Sequence, residues 1–131
     1  MLPDWEPGTP AVLIVAGPHA IPVSTALRRG ERRIVFALGR RRETLARLRD
    51  DPEAALCVLG RGVAFTAYGT ATVARDPLEA APVAAIELWV ERVQDHLADG
   101  RTEMLEAARY EWRDEDAMRS ESRIRAELDT I

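Results

Sequence analysis

The chain has 131 residues, 47% of them hydrophobic and 31% charged, which is enough apolar material for one packed domain and too much for a disordered tail. Its longest strongly apolar run, residues 11–17, is far shorter than the ~20 residues that cross a bilayer, and Asp4 and Glu6 oppose a basic signal-peptide region, so a cytoplasmic address and no membrane partner are expected. One cysteine, Cys57, and two histidines, His19 and His96, exclude a disulfide framework and offer no motif at zinc-ligand spacing.

The net charge of −4 hides a strong polarity. Residues 28–49 carry nine arginines against Glu31 and Glu43, whereas residues 76–131 carry fifteen acids against seven arginines. The acidic balance argues against a nucleic-acid partner, because recognition of a phosphate backbone needs a basic domain. The chain contains no lysine, so arginine as a residue type says little, and only the position of each arginine carries an argument.

Prolines and a glycine make the first ten residues an irregular lead-in. Residues 11–16 read as a strand buried on both faces, and Gly17-Pro18 as a turn. Residues 20–28 form a second expected strand, which Pro22 confines to an edge, a start or a bulge. Arg29-Gly30 turns the chain into a third strand at 33–38, so 20–38 reads as a hairpin. Leu45 and Leu48 lie three apart on a short amphipathic helix that Asp50-Asp51-Pro52 ends. Strands follow at 54–59 and 63–74, with Gly69 marking a bulge or bend.

Residues 83–97 fit a helical stripe through Val83, Ile86, Val90, Val93 and Leu97 as well as they fit strand alternation. Beyond Gly100 the composition is helical: Met104, Leu105, Ala108 and Trp112 make an apolar stripe, and Asp114 caps a further helix over about 115–128. Cys57 is expected to pack as a small buried hydrophobe. His19 reads as a turn histidine, and Trp89, Tyr110 and Trp112 as core or dimer packing. Five or six strands with one short helix between the third and fourth suggest a small barrel, which removes sheet edges.

Six strings in this order resemble the pyridoxamine 5'-phosphate oxidase-like family of FMN-binding split β-barrels, including its flavin and deazaflavin oxidoreductase branch. They are Gly17-Pro-His-Ala-Ile-Pro-Val23, Ile34-Val-Phe-Ala-Leu38, Arg40-Arg-Arg-Glu-Thr44, Leu48-Arg-Asp-Asp-Pro52, Ala55-Leu-Cys-Val58 and Tyr68-Gly-Thr-Ala-Thr-Val73. The resemblance spans about residues 10–95.

It implies a mainly β fold, a six-stranded split β-barrel over residues 1–98, with a helical C-terminal extension over 99–131. The ambiguous stretch then becomes the sixth strand. It also implies a homodimer with two cofactor clefts at the interface, the cofactor being FMN or an 8-hydroxy-5-deazaflavin coenzyme. Carried over by motif, Pro22, Val23, Ser24 and Thr25 approach the ring, and Arg40, Arg41, Arg42 and Thr44 face the phosphate.

The activity so implied is a flavin- or deazaflavin-dependent oxidoreductase acting on a small organic substrate. The cofactor performs the hydride chemistry, so no catalytic side chain and no metal is expected. Ala37 and Leu38 stand where many relatives carry a hydroxyl residue, and Thr44 where they carry a lysine. Those departures favour the alternative, a non-enzymatic split-barrel dimer that binds, stores or senses FMN, deazaflavin or haem, or has lost its cofactor.

Overall fold

The computed structural model describes residues 1–131. In chain order it contains β1 (Ala11–Val15), β2 (His19–Val23), β3 (Leu27–Arg28), β4 (Arg33–Gly39), α1 (Glu43–Asp50), β5 (Glu53–Gly60), β6 (Val63–Arg75), β7 (Val83–Asp95) and α2 (Glu115–Leu128). All seven strands form one antiparallel sheet in the order β2-β1-β5-β6-β7-β4-β3. Neither helix is long and apolar enough to cross a membrane.

The expected six strands are therefore seven, because the strand read over 20–28 is broken. Its first half, β2, pairs with β1, and its last two residues, β3, pair with β4. These are the two ends of the sheet, and only Ser24, Thr25 and Ala26 separate them. The sheet must curl until its ends almost meet. Pro22 lies opposite Val12 on the terminal strand β2, where its missing N–H costs no ladder bond.

The concave face carries the core. Leu13, Phe36, Leu56, Phe65, Ile86 and Leu88 are all fully buried there, placed by the two-residue alternation of their strands. Helix α1 closes one end with Leu45 and Leu48. Trp5 packs on the cluster near the N-terminal arm, 5.5 Å from the Phe65 ring, and donates its indole N–H to the Ala26 carbonyl.

Two expectations about the convex face are corrected. β1 is buried on one face only, with Val12 40% exposed and Ile14 half-buried. Cys57 is half-buried rather than core, because it lies opposite Val12 on the same convex row. A single chain has nothing to cover β2, β1 and β5 on that side. The far end of the convex face is covered, because Leu128, Ile124 and Ile131 of the C-terminal segment pack on Val35, Ala37, Val83 and Ala85.

Residues 83–95 are a strand, and Gly69 does mark a bulge against it. A Cβ at Gly69 would lie 1.9 Å from the Trp89 carbonyl oxygen, so only glycine lets the two backbones meet there. The helix over 115–128 is present, with the Asp114 carboxylate accepting from the N–H groups of Asp116 and Ala117. The helix read through Met104 and Trp112 is absent: 101–112 is irregular. Its backbone is drawn instead to Gly62, whose N–H reaches the Met104 carbonyl, while the Tyr110 hydroxyl donates to the Gly8 carbonyl. Helix propensity is a weak prior without an apolar surface to dock on; Leu105 is left 73% exposed, and Trp89, Tyr110 and Trp112 are exposed as well.

Gly69→Ala is expected to destabilise the fold by about 1–3 kcal/mol, read as a lower denaturation midpoint. An unchanged midpoint contradicts the close approach of β6 and β7.

Candidate cofactor site

Strand β4 ends at Gly39, and the chain turns through Arg40, Arg41 and Arg42 into α1. Gly39, the three arginines and Pro82 line an open concavity of about 520 Å³. Arg42 is the N-cap residue of α1 and makes no side-chain cap bond. Its side chain folds over Gly39, where an added Cβ would come within 3.2 Å of Arg42 Cγ. Glycine therefore makes room for this arginine.

The three arginines are not equivalent. Arg40 Nε donates to Asp76 Oδ1 at 2.6 Å, and Arg49 of α1 donates to Asp76 Oδ2 at 2.7 Å. Arg41 and Arg42 are exposed and take part in none of the ion pairs between the basic and acidic parts of the chain. They are the two cations free for an outside anion, beside a helix start whose dipole favours negative charge. Burial raises the pKa of the Asp76 carboxyl, but hydrogen bonds from Arg49 and Arg40 outweigh it and hold the group below its ordinary value.

Thr44 is turned away from this concavity. It is buried, and its Oγ1 is hydrogen-bonded to His19 Nε2 at 3.0 Å. His19 is thus a strut between the β1–β2 turn and α1, a role its place beside Gly17-Pro18 did not suggest.

The four residues assigned to the ring lie along the seam between the sheet ends, and their side chains diverge. Pro22 is exposed on the convex face and Val23 is buried in the core. Ser24 Oγ donates to Glu121 Oε1 of α2 at 2.6 Å. Thr25 is buried, and its Oγ1 accepts from the Ala37 N–H at 2.9 Å. Both hydroxyls thus have partners within the chain. Thr25 and Ala37 lie side by side, and Ala37 precedes Arg40 by three strand residues, or roughly 10 Å. The residues assigned to the ring and the arginine loop therefore lie at two ends of one strand edge.

Sequence reasoning missed Asp76, Glu121 and His19. Asp76 starts the β6–β7 loop, which Glu127 of α2 holds through the N–H groups of Glu79 and Ala80. Burial raises the Glu127 pKa, but these N–H groups and Arg75 bring it below its usual value. No local pattern announces such contacts, since Arg40 and Asp76 are 36 residues apart. A larger concavity of about 530 Å³ lies on the convex face near Tyr68, but Asp51, Glu53 and Glu91 on its wall repel an anion, and its Arg92 is stacked over the Tyr68 ring at 3.9 Å.

Fold and site together describe a split β-barrel with a basic concavity at the end of a seam-lining strand. This is the fold of the pyridoxamine 5'-phosphate oxidase-like proteins. A protein from Listeria innocua described as a candidate pyridoxamine 5'-phosphate oxidase is similar in structure with a TM-score of 0.55 at 16% identity, over 67% of this chain and 88% of that one. A structure named F420 reductase matches with a TM-score of 0.57 at 11% identity, over 71% of this chain and 98% of that one. A heme binding protein from Mycobacterium smegmatis matches with a TM-score of 0.56 at 16% identity, over 68% of this chain and 49% of that one. No protein-family model matches the chain, and no curated protein matches its sequence.

Asp76 and Glu127 set an expectation for acid stability. Each carboxyl is depressed in the fold, so its contribution is complete above its unfolded pKa and is lost as pH falls through the lower folded value. Stability should drop below about pH 4, and Asp76→Asn should make that drop shallower in pH-resolved thermal melts. An equal drop in the variant argues against the arginine clamp.

Proposed function

We propose that the protein is a flavin- or deazaflavin-dependent oxidoreductase of the pyridoxamine 5'-phosphate oxidase-like family, acting on a small organic substrate. The observation that carries this reading is the pair of free guanidinium groups, Arg41 and Arg42, on a concavity at the end of the strand edge that begins beside Thr25. Arg41 and Arg42 hold the cofactor phosphate by charge-assisted bonds. Arg40 completes the wall, and the N-terminal end of α1, which begins at Glu43 just before Thr44, supplies a favourable dipole. The seam residues 22–25 bound the ring. The cofactor, FMN or an 8-hydroxy-5-deazaflavin coenzyme, supplies hydride chemistry when bound. The fold shared with a protein named F420 reductase supports this assignment.

The functional unit in this reading is a cytoplasmic homodimer. Val12, Leu59 and the half-buried Ile14 and Cys57 leave an apolar convex surface on β1 and β5, and a second copy is the occupant that completes a cleft at the seam. The free thiol of Cys57 suits a reducing compartment.

A second reading has its own support. Ser24 donates to Glu121 and Thr25 accepts from the Ala37 N–H, so both hydroxyls are already engaged within the chain. That favours a non-enzymatic split-barrel dimer that binds, stores or senses a cofactor, or has lost it, and one structural neighbour is named a heme binding protein. Titration with FMN, the deazaflavin and haem, followed by visible absorption, tests which cofactor is bound, and turnover of a bound flavin then separates an enzyme from a store or sensor. Tight binding of haem alone, or of none of the three, favours the second.

The phosphate assignment is tested by Arg41→Ala and Arg42→Ala. A charge-assisted hydrogen bond contributes about 1.5–3 kcal/mol, so FMN binding should weaken roughly ten- to a hundredfold, while riboflavin, which lacks the phosphate, should bind as to the parent. Equal loss for both ligands points to a structural role. For the dimer, sedimentation equilibrium at micromolar concentration should give twice the chain mass, and Val12→Glu should shift it to monomer; a monomeric parent removes the interface cleft.

A further inference from the structure

We infer that the N-terminal half of α2 is a hinged latch on the seam: it swings off Ser24 about an anchor at Glu127 and Leu128 while the barrel stays folded. The latch decides whether the Ser24 hydroxyl is held by the chain or offered to a ligand. The inference stands apart from both functional readings, because it concerns a contact of the chain with itself.

The helix is held unevenly. Its C-terminal end is well anchored: Leu128 is fully buried with Val35 and Ala85, and Ile124 and Ile131 pack on the same cluster. Glu127 takes the N–H groups of Glu79 at 3.1 Å and Ala80 at 2.8 Å and pairs with Arg75 at 3.0 Å. Between Glu115 and Arg123, by contrast, the only buried side chain is Glu121, and its bond from Ser24 is the one hydrogen bond this half makes to the barrel. A helix normally docks by an apolar face. This half docks by a carboxylate.

That carboxylate is poorly served. Oε1 accepts from Ser24 Oγ at 2.6 Å, but Oε2 is buried without a hydrogen-bond partner. Arg125 Nη1 lies 3.9 Å away, too far for a hydrogen bond, and it crosses Gly8, where an added Cβ would come within 2.7 Å of it. Burying a carboxylate without full hydrogen bonding opposes docking, whereas release returns both oxygens to water. Closure therefore depends on the Ser24 bond. The chain before the helix leaves it room to move: residues 97–113 form neither helix nor strand, and two hydrogen bonds tie them to the barrel, from the Gly62 N–H to the Met104 carbonyl and from the Tyr110 hydroxyl to the Gly8 carbonyl.

Away from a surface, a short helical segment loses its hydrogen bonds, so release is read by amide hydrogen exchange on the full chain. In the parent, amides of residues 119–123 should exchange faster than those of 126–128 and of the β4–β7 ladder. Ser24→Ala should speed exchange at 119–123 about tenfold or more, the size of one charge-assisted bond, and leave 126–128 unchanged. Ser24→Cys, whose thiol is a weaker donor, should give a smaller increase, and melting curves identify which variants are folded. Glu121→Leu in the Ser24→Ala background should restore the parent's protection, since hydroxyl and carboxylate are then both replaced by apolar groups. Exchange at 119–123 no faster than at 126–128 in the parent overturns the inference, because the helix then opens as one unit. A folded Ser24→Ala protein with unchanged rates, or with rates raised equally in both halves, overturns it as well. So does a double variant that exchanges as fast as Ser24→Ala alone, since fraying rather than the unpaired carboxylate then opens the helix.

Discussion

The hydrogen bond from the Ala37 N–H to Thr25 Oγ1 stands where the sheet has to close on itself. β2 and β3 end a seven-stranded sheet on opposite sides, yet three residues join them. Three residues reach at most about 10 Å, so the sheet must curl through almost a full turn. Thr25 lies opposite Ala37 by continuation of the β3–β4 register, in which Leu27 faces Val35. Its side-chain oxygen takes the place of the strand carbonyl that the seam does not provide. The half-buried Ala37 N–H would otherwise lack a partner within the sheet. Closure also brings the β1–β2 turn against the start of α1, where His19 meets Thr44, and so fixes the arginine loop beside the seam.

The charge polarity of the chain is resolved by this topology. β4 lies between β3 and β7, so the basic segment runs alongside the acidic one. Arg33 meets Glu87, Arg29 meets Asp129, and Arg40 and Arg49 meet Asp76. Exposed pairs of this kind contribute little stability each. Their consequence is positional: they consume the arginines that face the acidic half and leave Arg41 and Arg42 directed to solvent.

Much of the fold was legible because strands of this chain have one strongly apolar face. β4, β5 and β6 follow from alternation, Gly69 from its place within an otherwise regular strand, and α2 from Asp114 and the composition behind it. The break after Val23 was not legible. Ser24, Thr25 and Ala26 are all compatible with a strand, and what interrupts them is the global demand that the sheet close. The irregular 101–112 segment failed for a different reason: its apolar spacing is helical, but its backbone and the Tyr110 hydroxyl are tied to Gly62 and Gly8, and Leu105 is left exposed. At the site, the arginine run was visible, whereas its division into held and free members depends on Asp76, brought in by the β6–β7 hairpin.

Helix α2 draws the boundary of the seam. It covers the convex face over Val35, Ala37 and Ala85 and stops at Ser24, where Glu121 accepts the hydroxyl proton. Beyond Ser24 the convex face is bare, beginning with Pro22 and Val12. Glu121 is itself nine-tenths buried; one oxygen takes Ser24, and the other has only Arg125, at 3.9 Å, near it. A buried carboxylate so sparsely paired is costly, and it is the Ser24 bond that gives it a partner at this edge. In the proposed complex a ring must therefore approach the seam from the β2 side, over Pro22, because the β4 side is already closed by the chain's own helix. The same asymmetry directs a second copy to the bare strands β2, β1 and β5, so the cofactor's approach and the apolar surface that calls for a partner fall on one side of the barrel.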